Sequence, residues 1–217
     1  MQKEQKAKGV ILRKTNYGED DEIFDLLCKG GELLTFFARG AKKVKSKFAG
    51  IIQVGNFIYI TYTSGKNFNY PREISLDLDN IYSFYAKNLE LMNYYADLIN
   101  ITRHISKDMD SSNLFEILIQ SLKTAEYEKE KILYSYNRFI LNCLDEYNID
   151  TSEIKSLIEN SISDKKFYYH AESNRIFNDD KPKYLDIPYI KYDEVFLKTY
   201  LQKMLIENIL HGIRLKF

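Results

Sequence analysis

Cysteine is scarce in this chain of 217 residues: Cys28 and Cys143 are the only two, and they lie far apart in sequence. That spacing excludes a disulfide framework and any Cys-x-x-Cys metal motif, and it points to a reducing compartment, the cytoplasm. Proline and glycine are also few, at three and nine, while 45% of residues are hydrophobic and 29% charged. A disordered or low-complexity chain is thereby excluded, and folding is expected. No stretch approaches the roughly 18 apolar residues that a membrane span requires. Met1 to Gly9 is polar and lysine-rich, without the apolar core of a signal peptide. Neither secretion nor membrane insertion is expected.

What is present must therefore fold and work as a globular protein, and the length suits two small domains. The formal net charge is zero, but it is unevenly distributed: residues 1–66 carry 12 Lys+Arg against 7 Asp+Glu, and residues 67–217 carry 19 against 24. The first part is basic by five charges and the second acidic by five. Such asymmetry suggests that the basic part meets an anion.

The hydrophobic pattern changes near residue 80. Before it, short apolar or alternating runs read as strands: Val10 to Leu12, Ile23 to Cys28, Leu33 to Ala38, Ile51 to Tyr62, and a weaker run from Phe68 to Ile74. Gly18, Gly30-Gly31, Gly40, Gly55 and Gly65 punctuate them at turn-like spacing. Five short strands over this length suit a small closed barrel. Beyond residue 80, Tyr85, Leu89, Met92, Ala96 and Ile99 recur at helical steps, as do Ile132 to Tyr147 and Phe196 to Leu205. Pro182 and Pro188 mark an irregular segment before a last helix expected to begin near Asp193. The expected architecture is α+β: a barrel over residues 1–79, then a mostly α-helical domain over 80–217 with an irregular or hairpin insert near 165–190.

The densest chemical signal is Ala38-Arg39-Gly40-Ala41-Lys42-Lys43-Val44-Lys45-Ser46-Lys47-Phe48-Ala49-Gly50, with five positive charges and no negative one. Lysine and arginine neutralise phosphates and release counterions, so a basic loop beside a barrel suits a nucleic-acid backbone. Read alone, such a run is more often a solvated surface loop, because short basic stretches are common. Phe36, Phe37, Phe48, Phe57, Tyr59, Tyr62, Phe68 and Tyr70 share this part of the chain. Most should be core, leaving one or two to stack on bases.

Other constellations favour bland readings. Glu19, Asp20, Asp21 and Glu22 invite a Mg²⁺-dependent nuclease reading, but consecutive acids on a strand alternate faces. His104, His170 and His211 have no partners at catalytic or metal spacing, and no G-x-x-x-x-G-K-S/T loop occurs. No enzyme is expected.

Gly9-Val10-Ile11-Leu12-Arg13, Tyr17-Gly18-Glu19 with Asp21, Gly31-Glu32-Leu33, and Ala38-Arg39-Gly40-Ala41-Lys42 leading to Lys45-Ser46-Lys47-Phe48-Ala49-Gly50 and Gln53 stand in an order and spacing that resemble the N-terminal half of the RecO family. These are bacterial recombination mediators. The resemblance implies an OB-type barrel followed by a helical domain. It also implies binding of single- and double-stranded DNA, annealing of complementary strands, and assistance in loading RecA onto DNA coated with single-strand-binding protein. The implied protein partners are RecR and the acidic C-terminal tail of single-strand-binding protein. The expected DNA-binding residues are Arg13, Lys14, Arg39, Lys42, Lys43, Lys45 and Lys47. A pocket for the acidic, apolar-tipped tail should combine a cation with apolar walls, and Arg103, Lys107, Lys123, Lys129, Lys131 and Arg138 are possible rims. The alternative is an OB-fold protein of another pathway that binds single-stranded RNA or DNA.

The chain departs from the family at one point. Many of its members hold zinc through cysteines in the helical domain, but residues 144–186 here contain no cysteine and only His170. Zinc prefers thiolate and imidazole ligands at close spacing, so no zinc and no other cofactor is expected. The segment from Lys166 to Phe177 is expected to form a small hairpin that replaces the metal with aromatic packing.

Overall fold

A computed structural model describes residues 3–77, 85, 88–107, 113–127, 132–152, 154–155, 167–170, 175–178, 189–190 and 194–208. It divides into two compact units, Met1–Ser135 and Tyr136–Phe217. The boundary expected at residues 79 and 80 lies outside the described residues.

Five strands open the first unit: β1 (Glu4–Tyr17), β2 (Asp21–Cys28), β3 (Leu33–Ala38), β4 (Phe57–Ser64) and β5 (Asn69–Leu76). They close a barrel in the order β1-β2-β3-β5-β4, the order of an OB fold. β1 is long enough to serve two neighbours, its first half pairing with β4 and its second with β2. The β3 and β5 strands meet in parallel at Phe36 and Asn69, where the Asn69 side chain donates to the Thr35 carbonyl at 3.3 Å.

Period-two alternation sends Phe24, Leu26, Phe36, Ala38, Ile58 and Ile60 into the barrel core with Ile11. β1 breaks that alternation. Its register against β2 shifts between Ile11 and Arg13, a bulge that leaves Leu12 unpaired. The other barrel face also carries buried residues, Val10, Leu27 and Phe57, and Phe57 meets the ring of Phe115 edge-on at 6.2 Å.

The run expected as one strand from Ile51 to Tyr62 is a strand only from Phe57. Residues 51–56 form turns. The Asn56 side chain donates to the Ile51 carbonyl, Gly55 N donates to the Ile11 carbonyl, and Gly55 has φ +90°. Ile52 is nevertheless buried, because the turn inserts it into the barrel core. Hydrophobicity alone could not separate a plug from a strand.

Helices α1 (Leu89–Ile105) and α2 (Leu114–Tyr127) follow among the described residues of this unit. Asn88 caps α1 by accepting from Glu90 N at 2.7 Å. Its buried residues are Leu91, Tyr94, Tyr95, Leu98, Ile99, Ile101, Thr102 and Ile105. Of the stripe read through Tyr85, Leu89, Met92, Ala96 and Ile99, Tyr85 and Ile99 are buried, whereas Ala96 is exposed and Leu89 is 77% exposed. Tyrosine accounts for the difference: Tyr94 and Tyr95 bury their rings while their hydroxyls donate to the carbonyls of Ser121 and Gly55. Tyr85 is fully buried and donates likewise to the Leu122 carbonyl.

Helix α3 (Ile132–Glu146) runs into the second unit, where it buries Phe139, Ile140, Cys143 and Leu144. Strands β6 (Phe167–His170), β7 (Arg175–Asn178) and β8 (Tyr189–Ile190) form an antiparallel sheet in the order β7-β6-β8. Helix α4 (Glu194–Asn208) buries Tyr200, Leu201 and Leu205, and Gln202 donates to the Tyr136 hydroxyl at 2.9 Å. No helix among the described residues is long and apolar enough to cross a membrane.

Candidate nucleic-acid interface

The basic run lies in the long connection between β3 and β4. Three apolar side chains, Ala41, Phe48 and Ile52, sink into the barrel core and anchor it. Between the first two anchors the backbone makes successive turns, with Lys43 N donating to the Gly40 carbonyl and Ser46 N to the Lys43 carbonyl. Val44 and Lys45 occupy the two central positions of the second turn.

The acidic run forms the other half of this construction. Asp21 accepts from Gly40 N at 2.8 Å, the Asp20 carbonyl accepts from Lys42 N at 2.9 Å, and the Asp20 carboxylate lies 3.3 Å from Lys43 Nζ. Glu22 pairs instead with Lys14 at 3.5 Å. The carboxylates thus diverge to separate partners, and no group of metal-ligating side chains occurs among the described residues. Their observed work is to latch the basic loop onto the turn between β1 and β2.

The cations differ in freedom. Lys42 donates to the Gly18 carbonyl at 2.9 Å, while Lys47 donates to the Arg72 carbonyl and lies over the Phe48 ring. Arg39 and Lys45 are exposed and bond to no described residue. Arg13 and Lys14 are placed differently. The bulge turns Arg13 outward, where its guanidinium meets Asp25 at 2.6 Å, and Asp25 also accepts from the Thr35 hydroxyl. Lys14 falls on the opposite face and bonds Gln53 at 3.0 Å as well as Glu22. Both therefore neutralise carboxylates of their own barrel. Together with Leu12, Val54, Met92, Tyr95, Ile99 and Arg103 they line a cavity of about 260 Å³ that has no acidic residue in its wall.

A cluster of half-exposed aromatics adjoins the loop. Phe37 is its hub: the Tyr17 ring meets it edge-on at 5.3 Å, with Phe68 at 5.9 Å and Tyr70 at 6.3 Å. Phe37 points outward because Phe36 and Ala38, its neighbours on β3, point in. Gly65 lets Tyr70 lie against its turn, since a Cβ there would come within 2.6 Å of the ring. Tyr17 is 57% exposed and immediately precedes Gly18, whose carbonyl holds Lys42. Sequence reasoning missed Tyr17, although its place beside a turn glycine was the available signal. The other aromatics named from sequence divide into core (Phe36, Phe48, Phe57, Tyr62) and surface (Tyr59, 46% exposed). Cations and open ring faces thus share one rim of the barrel, over β3 and the turns that follow β1 and β4, the region where OB folds engage single strands.

Lys8 is a separate case. It pairs with Asp77 at 2.7 Å and lies over Tyr59, and its hydrogen bond to Asp77 raises its pKa. Both cysteines are free and buried. Burial pushes the Cys28 thiol up to about 12, and burial raises Cys143 as well. Residues 144–186 contain no cysteine and a single histidine, His170.

Comparison with known proteins agrees with this geometry. Residues 1–76 match the family described as "Recombination protein O N terminal". Over 122 residues, the chain is 30% identical to the DNA repair protein RecO of Bacillus cytotoxicus and 32% identical to that of Bacillus mycoides. Each alignment takes in 54% of this chain and 47% of the relative, so the chain spans about half the length of the curated relatives it matches.

Proposed function

We propose, from the match of residues 1–76 to the RecO N-terminal family, that the chain is a non-catalytic DNA repair and recombination mediator of that family. Its barrel binds single- and double-stranded DNA, it anneals complementary strands, and it assists RecA loading onto DNA coated with single-strand-binding protein. One observation carries this reading: Lys42 is tied to the Gly18 carbonyl beside the exposed ring of Tyr17. The basic loop and the aromatic cluster are thereby held as one surface, offering cations to phosphates and rings to bases.

Arg39, Lys42, Lys43, Lys45 and Lys47 are the phosphate contacts of this reading. Arg13 and Lys14 act behind them by neutralising Asp25 and Glu22. RecR and the tail of single-strand-binding protein are the proposed partners. The cavity at Arg103 combines a cation with apolar walls from Met92, Tyr95 and Ile99, the chemistry that an acidic, apolar-tipped tail requires. No zinc takes part, and metal analysis finding one tightly held zinc per chain would refute that point.

Strand annealing tests the whole reading. Complementary oligonucleotides, bare or coated with the cognate single-strand-binding protein, should anneal faster with the protein present and without ATP. Absence of acceleration on both substrates would overturn it. Tighter binding to RNA than to DNA of the same sequence would favour a barrel protein of another pathway.

A further inference from the structure

Val44 is 98% exposed, the highest value among the large hydrophobic residues described. The surrounding loop does not lack places to bury an apolar side chain, since Ala41, Phe48 and Ile52 are all in the core. Val44 instead stands at the apex of the turn from Lys43 to Ser46, beside Lys45. The turn is held from below by Lys42 N on the Asp20 carbonyl, by Gly40 N on Asp21, and by the ion pair between Lys43 and Asp20. Its β-branched side chain has few rotamers to lose on contact. The result is a short, stiff apolar point flanked by cations on an anchored base.

A lone exposed valine is ordinary on a protein surface. This one differs in its setting, because it stands between Lys43 and Lys45 on a turn pinned to Asp20. On nucleic acid, the apolar surface available next to the phosphates is the bases, and apolar side chains next to cations are a known means of entering a base stack. We propose that Val44 is a wedge that enters the base stack of bound DNA while Lys45 takes the adjacent phosphate. The proposal rests on the DNA-binding reading above and adds a base-contacting residue to it. Its consequence is local unstacking at the loop, which leaves base edges open to a complementary strand.

The test uses the full chain and two labelled oligonucleotides of equal length, one with ordinary bases and one abasic through its centre. Val44→Ala should weaken binding to the base-containing strand by up to about tenfold, the effect of losing two buried methyl groups. Its salt slope should be unchanged and its affinity for the abasic strand unaltered. Lys45→Ala should weaken binding to both strands and flatten the salt slope by about 0.7. If Val44→Ala binds the base-containing strand as wild type does, the wedge is overturned and the DNA-binding reading stands. Equal losses on both strands also overturn it, since Val44 would then act through loop shape. Failure of the wild-type protein to bind either strand overturns both readings.

Discussion

The hydroxyl of Tyr95, on α1, donates a hydrogen bond to the carbonyl of Gly55, at the end of the long basic connection. A Cβ at Gly55 would stand 2.5 Å from the Tyr95 ring, and φ there is +90°, so the position disfavours every other residue on two counts. One tyrosine thus fixes the trailing end of the connection that carries the nucleic-acid cations.

Gly55→Ala should therefore destabilise the first unit by roughly 2–4 kcal/mol, combining left-handed backbone strain with overpacking. Tyr95→Phe, which leaves the Gly55 carbonyl without this donor, should cost about 1–2 kcal/mol. Urea unfolding of both variants checks the order. Equal stability of Gly55→Ala and wild type would show that the contact is dispensable.

Replacement of Lys42, Lys43, Lys45 and Lys47 by alanine should flatten the dependence of log K on log salt for single-stranded DNA by about 3, four phosphate contacts at about 0.7 each. The loss should be similar for every sequence, because phosphate contacts position without specifying. Fluorescence anisotropy across a salt series measures it. An unchanged slope would return the loop to solvated surface. The pair Arg39→Ala and Lys45→Ala, which breaks no bond to a described residue, should flatten the slope by about 1.4 with stability unchanged.

Tyr17→Ala should produce the opposite signature. Removing a ring that stacks on a base costs about 1–3 kcal/mol of binding while the salt slope stays as it was. Because Tyr17 is 57% exposed, its removal should leave the melting temperature within a few degrees. Binding isotherms at two salt concentrations separate the effects, and wild-type affinity in this variant would remove the aromatic cluster from the interface.

Cys28, with its thiol raised to about 12 by burial, should resist alkylation in the native protein at pH 8 and react readily in urea. The unfolded thiol ionises near pH 9 and the folded one does not. The stability linked to this group is therefore full below pH 9 and lost as pH rises from there towards 12. Mass spectrometry after iodoacetamide pulses reads the first point, and rapid native labelling at pH 8 would contradict it. Alkaline unfolding above pH 9 reads the second.

The five strands and the change to helices were legible because Phe24, Leu26, Phe36 and Ala38 alternate cleanly and glycines mark the turns. Three details were not. The bulge at Leu12 breaks the period on which strand reading depends, so Arg13 and Lys14 could not be assigned to faces. The stretch from Ile51 to Asn56 is apolar because it plugs the barrel, which composition cannot distinguish from strand. The face of α1 was misjudged because Tyr94 and Tyr95 are buried through hydroxyls that find distant carbonyls, a solution visible only in three dimensions. The basic run was visible as charge, but the division between tethered Lys42, Lys43 and Lys47 and untethered Arg39 and Lys45 depends on neighbours remote in sequence.

The double pairing of β1 has a kinetic corollary. Glu4 faces Thr63 and Gln5 lies beside Ser64, 59 positions further along the chain, and the β3 to β5 seam waits on Asn69. The hairpin of β1 and β2 can assemble early, but the ring closes only after the whole basic connection has been brought round against its own electrostatic repulsion. Such high contact order places refolding in the slow range of small domains, milliseconds to seconds. Added salt, which screens the crowded lysines, should speed closure while it weakens the grip on DNA.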